Sequence, residues 1–256
     1  MSAAYLLAIG GTDSSGGAGL AADRHAAELV GVPCVSIVTA ATEQTDAGVQ
    51  ALNPRAPDTW LFEALAAMSE QNPAAIKLGL LPGQQHVIAA TSVLDQVLFE
   101  SPGLPIVLDP VIASSSGHTF LDAAALQALR KLCGRPLILT PNLPEAAALT
   151  GAPESLLAED PGARLAAAQS LLGLGLKAVA LKGGHSAGTT VTDLLLVRDQ
   201  PPVWSEHPRH PGPGIRGSGC RFATGLAAHL ALGTPLPAAH QAASALVADL
   251  IARNVE

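Results

Sequence analysis

Aromatic side chains make up only 3% of the 256 residues and charged ones only 14%, against about 25% charged in an ordinary soluble domain. So few aromatics argue against a base-stacking nucleic-acid platform. Fourteen Lys and Arg stand against 21 Asp and Glu, a net charge of −7, which argues against a protein that tracks a phosphate backbone. No apolar run reaches the roughly 18 residues of a membrane span. The segment Met1–Ile9 has no basic n-region and runs straight into Gly10-Gly11-Thr12-Asp13, so no signal peptide is expected. Cys34, Cys133 and Cys220 form no CxxC, which suits a reducing cytoplasm better than a disulfide framework. These absences point to a cytoplasmic protein with no nucleic-acid or membrane partner.

What is abundant is apolar. Hydrophobic residues make up 48% of the chain, enough for a sizeable core without metal or disulfide staples. With charge this sparse, a buried subunit contact is also expected, and with it a homodimer. Short apolar runs at Tyr5–Ile9, Val35–Thr39, Ala75–Leu78, Ile106–Asp109, Leu137–Thr140 and Lys177–Lys182 read as strands. Helical patterns at Ala18–Val30, Pro57–Ser69, Gln85–Phe99, Ala123–Cys133 and Ala163–Leu172 lie between them. This alternation predicts an α/β fold with a mostly parallel sheet and right-handed crossovers. Val191–Val197 and Val203–Ser205 read as a hairpin-like pair at the sheet edge, and helices over Cys220–Leu232 and Pro235–Arg253 close the chain. Residues 1–256 read as one domain; Pro208–Gly219 is too short to separate two and reads as a functional or disordered loop.

Polar or glycine-rich segments follow the strands at Gly10–Gly19, Thr42–Gln44, Asp109-Pro110, Pro141–Glu145 and Lys182–His185. In a parallel sheet these converge on one edge, where open α/β sheets bind ligands. The first segment is neither a P-loop nor a GxGxxG fingerprint. Its glycines allow close backbone approach to a small ligand, and Asp13 and Asp23 would bond polar atoms of it. The alternative is a flexible turn that caps a helix. Asn142 and Glu145 have the spacing of a capping box, which leaves room for a second role in organising Mg²⁺ through its waters. Asp109 would add negative charge near that metal, and Lys182 would steady nucleotide phosphates as a point charge. Either is also explained as an ordinary turn or a solvated strand end. Gly217-Ser218-Gly219-Cys220 opens an apolar helix and offers an anion site of successive N–H groups. A thiol there is expected below the roughly 8.5 of free cysteine, ready to act as a base; the bland reading is a buried, inert cysteine. Arg221 in that first turn opposes the helix dipole, which suggests a bound anion.

In this order, these segments resemble the hydroxymethylpyrimidine/phosphomethylpyrimidine kinases of thiamin biosynthesis, within the ribokinase-like superfamily. The resemblance rests on residues 10–23, Gln44, Lys77-Leu78-Gly79, Asp109-Pro110-Val111, Pro141–Ala146, Lys182–His185 and Gly217–Cys220. It implies a ribokinase-like three-layer sandwich, usually homodimeric, with helices on both faces of the sheet. It also implies transfer of the ATP γ-phosphoryl group, with Mg²⁺, to a small substituted pyrimidine or its monophosphate. Gly11, Asp23 and Gln44 would face the pyrimidine, Gln44 reading its ring nitrogen and amino group. Asn142 and Glu145 match the metal-organising pair, Asn142 and Arg221 would also lie on the ATP side with Lys182, and Cys220 stands at the base position, with the Gly217, Ser218 and Gly219 amides binding developing charge. The chain departs from the family pattern at Arg216, Ser218 and Arg221, and in the run Ala-Ser-Ser-Ser-Gly (113–117), where the family carries a lysine. Ser114–Gly117 would fold over the site as a lid. A pyridoxal or pyridoxine kinase and a non-catalytic pyrimidine-binding protein are the alternatives.

Overall fold

The structure is a computed structural model that describes residues 4–45, 48–114, 116–186, 188–210 and 214–255. Its strands are β1 (Leu6–Asp13), β2 (Cys34–Thr45), β3 (Gly48–Pro54), β4 (Ala75–Leu78), β5 (Ile106–Leu108), β6 (Ile138–Leu139), β7 (Ala178–Leu181), β8 (Thr190–Val197) and β9 (Val203–Pro208). They form one sheet in the order β3-β2-β1-β4-β5-β6-β7-β8-β9. The run from β2 to β7 is parallel throughout. β3 pairs antiparallel at one edge, and the β8–β9 hairpin at the other. This is the mostly parallel sheet with an edge hairpin that the alternation of elements implies.

Side chains alternate across the sheet, and the core divides accordingly. Leu7, Ile9, Ile76, Leu78, Ile106 and Leu108 face one layer, while Leu6, Ala75, Val107, Ile138 and Ala178 face the other. The first layer holds α2 (Pro57–Glu70), α3 (Gln84–Glu100), α4 (Ala123–Leu132), α5 (Leu143–Thr150), α6 (Glu154–Glu159) and α7 (Pro161–Leu172). The second holds α1 (Gly19–Val30), α8 (Ser218–Ala231) and α9 (Leu236–Val255). The result is a three-layer sandwich. No helix among the described residues is long and apolar enough to cross a membrane.

The helix ends follow local chemistry. The Asp122 side chain accepts from the Ala125 amide at 2.8 Å, and Arg130 and Lys131 occupy the last turn of α4, complementing its dipole. Gly31, at φ 84°, ends α1 in the left-handed region that favours glycine.

Three segments differ from the reading of the sequence. Gly10–Asp13 and Thr42–Gln44 are strand rather than loop, because β1 and β2 continue pairing past a register shift at Gly10/Gly11. β3, which the sequence pattern does not announce, pairs with β2 through a second irregularity at Glu43/Gln44. Such bulges re-aim side chains at sheet ends. In the run 113–117, Ser115 lies outside the described residues, as do residues 211–213 of the Pro208–Gly219 segment. Ala113 and Thr119 form a small antiparallel bridge beside that run.

Candidate active site

β1 lies between β2 and β4, so the chain leaves it on one side and returns on the other. That reversal opens a crevice at the carboxyl ends of the strands. Asp13 ends β1, Gly79 follows β4, Asp109 follows β5, Asn142 follows β6 and Lys182 follows β7. The amino end of α8 lies against the same edge: a β-carbon on Gly219 would stand 3.1 Å from Lys182 Nζ. Gly217, the residue before α8, places no side-chain cap on it. The first-turn amides of α8 therefore lie beside an ammonium group, an arrangement suited to an anion.

Two buried ion pairs organise the floor. Lys77 Nζ stands 2.9 Å from both carboxylate oxygens of Asp23, and each side chain is 1% exposed. Thr224 Oγ1 on α8 donates to Asp23 Oδ1 at 2.7 Å. Burial works against the Lys77 charge, but Asp23 beside it, together with Cys220 and Asp109 nearby, holds the ammonium above the ordinary lysine range. Lys182 Nζ lies 2.8 Å from Asp109 Oδ1 and 3.9 Å from Glu145 Oε2. Burial opposes the Asp109 charge too, yet Lys182 and Lys77 hold that carboxyl below its usual range.

Asn142 and Glu145 form a complete capping box at the start of α5. The Glu145 amide donates to Asn142 Oδ1 and the Asn142 amide to Glu145 Oε2, both at 2.8 Å. Glu145 is nonetheless buried, and burial pushes its carboxyl up to about 7; Lys182 pulls it down and Asp109 pushes it up. An ordinary surface cap does not carry that strain. Among the described residues no three His, Cys, Asp or Glu side chains converge into a metal cage.

Several expectations need correction. Cys220 was expected below the range of a free thiol; burial instead pushes it up to about 11, with Lys77 lowering it and Asp109 and Asp23 raising it. Enclosure outweighs the helix end. Asp23 does not turn a free carboxylate to a ligand, because its oxygens hold Lys77. Asp13 is taken up within its own loop: it accepts from Ser15 N, Ser15 Oγ and Ala18 N, and from Arg216 Nη2 at 3.1 Å. Arg221 is engaged through one nitrogen, while its buried Nε has no hydrogen-bond partner among the described residues. Its Nη1 donates to the Gly17 and Arg216 carbonyls at 3.0 and 2.6 Å, which explains a cation in the first turn of α8 as a stitch between loops. Gly11 is buried, and a β-carbon there would meet Leu80 Cδ2 at 2.8 Å. Gln44 is half-buried, with Oε1 accepting from Arg216 Nη2 at 2.7 Å.

Sequence reasoning assigned no role to Lys77 or Thr224. Lys77 had a signal, since a lysine within the apolar run Ala75–Leu78 demands a buried partner. Thr224 had none.

Residues 13–256 match the family described as phosphomethylpyrimidine kinase. The chain belongs to the phosphomethylpyrimidine kinase family. It is similar to the hydroxymethylpyrimidine/phosphomethylpyrimidine kinase of Haemophilus influenzae, 34% identical over 250 residues that cover 96% of this chain and 90% of that one. The enzyme of the same name from Bacillus subtilis is 31% identical over 253 residues, 98% of this chain and 90% of its own. Among solved structures, phosphomethylpyrimidine kinase from Clostridium difficile superposes with a TM-score of 0.79 at 27% identity, covering 97% of this chain and 99% of that chain. Pyridoxal kinase from Staphylococcus aureus in complex with AMP-PCP and pyridoxal gives 0.86 at 26% identity, covering 98% and 88%. The phosphomethylpyrimidine kinase fold is thus the ribokinase-like sandwich that the resemblance implied.

Proposed function

We propose that this chain transfers the γ-phosphoryl group of ATP to 4-amino-5-hydroxymethyl-2-methylpyrimidine, to its monophosphate, or to both. The observation that carries this reading is the convergence of Lys182, Lys77 and the uncapped start of α8 on one strand edge. The α8 amides and the Lys182 ammonium are the donors this edge offers to the charge of a phosphoryl group in transfer. Family membership gives the acceptor class.

The chemistry is in-line displacement. The acceptor oxygen forms a bond to the γ-phosphorus as the bond to the β,γ-bridging oxygen breaks, and most of the acceleration comes from positioning. Lys182 steadies the phosphates, with Asp109 and Glu145 setting its position. The Gly217–Cys220 amides take the charge on the equatorial oxygens. Cys220 accepts the proton of the acceptor hydroxyl, and it does so as a thiolate, so its own proton must leave first. Glu145 and Asp109, with Asn142 alongside, would hold Mg²⁺ through its waters. When bound, that ion neutralises phosphate charge.

An ATP-consumption assay over hydroxymethylpyrimidine, its monophosphate, pyridoxal and pyridoxine tests the reading. Turnover of the pyrimidines above the pyridines is the expected result. The likeness to pyridoxal kinase at a TM-score of 0.86 favours a second reading, pyridoxal phosphorylation, and the reverse preference would establish it. No ATP consumption with any acceptor would leave a pyrimidine-binding protein.

A further inference from the structure

Arg216 links two distant parts of the chain. Its Nη2 donates to Gln44 Oε1 at 2.7 Å and to Asp13 Oδ2 at 3.1 Å. It comes from the segment just before α8, whereas Gln44 lies on β2 beside the bulge. A primary amide can usually turn over by 180°, exchanging the places of its oxygen and nitrogen at little cost. Here it cannot. A guanidinium has only donors, so the amide atom facing Arg216 must be the oxygen.

The other end of the amide agrees with this orientation without enforcing it, since a hydroxyl can donate or accept. Gln44 Nε2 lies 2.8 Å from Thr42 Oγ1, and that hydroxyl donates its single proton to the Thr12 carbonyl at 3.0 Å. Thr42 Oγ1 is left as an acceptor toward Gln44. The chain of bonds runs one way, Arg216 to Gln44 to Thr42 to Thr12, and every member is used in one sense only.

We propose that Arg216 is the positioning residue that fixes the polarity of Gln44 and so selects an acceptor ring carrying an amino group next to a ring nitrogen. This rests on the aminopyrimidine kinase reading above, with Gln44 facing the acceptor ring as the family resemblance implies. With one lone pair on Oε1 and one N–H on Nε2 already committed, Gln44 retains one lone pair and one N–H. These complement the amino donor and ring-nitrogen acceptor of a 4-aminopyrimidine. They mismatch the 4-oxo analogue, in which the exocyclic group accepts and the ring N–H donates. A polar site discriminates strongly against ligands that leave its groups unpaired.

The test is the ratio of kcat/KM for the 4-amino acceptor to that for the 4-oxo analogue, measured with ATP saturating. Arg216→Gln presents either a donor or an acceptor and frees the Gln44 amide to turn. The ratio should fall at least tenfold, while the KM for ATP changes less than twofold. Arg216→Lys, again only a donor, should keep most of the ratio even if it lowers the absolute rate. A loop tether alone would lower both rates together and leave the ratio intact, which would overturn the proposal. So would a selective loss of the monophosphorylated acceptor, since that would make Arg216 a ligand of the acceptor's anion. Thermal melting of both variants checks that each is folded, and Arg216→Lys alone decides if Arg216→Gln is not: loss of the ratio in a folded lysine variant overturns the proposal. If the unmodified chain turns over neither pyrimidine, the kinase reading falls and this one with it. Turnover with an unchanged ratio removes the polarity role alone.

Discussion

Lys77 and Asp23 have no water to fall back on, since each side chain is 1% exposed. Removing one partner leaves the other as a bare buried charge, so Asp23→Ala should cost about 3–5 kcal/mol in denaturant unfolding. Replacing both, as Asp23→Leu with Lys77→Met, should recover much of that stability. It should not recover turnover, because the Asp23 carboxylate that holds Thr224 of α8 to the floor of the site is gone. Cys220 makes a sharper prediction. With the thiol pushed up to about 11, the thiolate fraction grows about tenfold per pH unit through the neutral range, and kcat should climb from pH 7 to pH 9. Cys220→Ala should lose about 10²–10⁴-fold and flatten that climb. Cys220→Asp should regain part of the rate with its rise on the acid side, a carboxylate titrating near 3.9 when unperturbed. A full rate in Cys220→Ala across the pH range would make the cysteine a packing residue. At this scale the sequence was legible in residue type and blind to partners: nothing in the order of residues shows that Asp13 closes on its own loop or that Arg221 bonds carbonyls.

At the scale of the element, α5 carries two functions at one end. Glu145→Gln retains both bonds of the capping box, since an amide oxygen accepts from the Asn142 amide as a carboxylate does. It removes a carboxyl whose folded value of about 7 lies above its ordinary 4.5. A carboxyl raised on folding contributes stability that is complete below pH 4.5 and lost as pH rises through about 7. The variant should therefore melt like the parent in acid and at the same or a higher temperature at pH 8. Turnover should fall about tenfold or more, together with a raised Mg²⁺ requirement. Loss of melting temperature at pH 8 would show that the cap is the whole role. For α8, the critical position is Gly217 at φ 71°, where a β-carbon would come within 2.6 Å of the Gly17 carbonyl oxygen. Gly217→Ala should destabilise by about 1–3 kcal/mol and displace the first-turn amides, read as a raised KM for ATP. The main helices were legible from a period of 3.6 and the parallel strands as short continuous apolar runs, each written in a single segment. β3 was not, because Gly48–Pro54 is strand only by virtue of pairing with β2.

For the whole molecule, sparse charge and a high apolar fraction lead us to expect a homodimer. Phe62 on α2 and Phe99 on α3 remain 74% and 89% exposed, a cost that a second copy would relieve. A light-scattering mass near the 25.8 kDa of one chain, at micromolar concentration, would reject it. The mostly parallel α/β sheet was legible from the alternation of strands and helices, the three-layer sandwich from the family resemblance, and the edge where the polar segments converge from their places after the strands. The sharing of labour between layers was not, since it depends on which distant helices meet. One layer consists of α1, from the start of the chain, with α8 and α9, from its end. A ribosome making this protein therefore exposes one apolar face of the sheet until Ser218–Val255 has emerged. Through that interval α1 lacks its neighbour, and Asp23 and Lys77 lie uncovered beside it. Ser218–Val255 both closes the core and completes the edge where the candidate site lies, so a nascent chain that stalls before it presents a sticky surface and no enzyme.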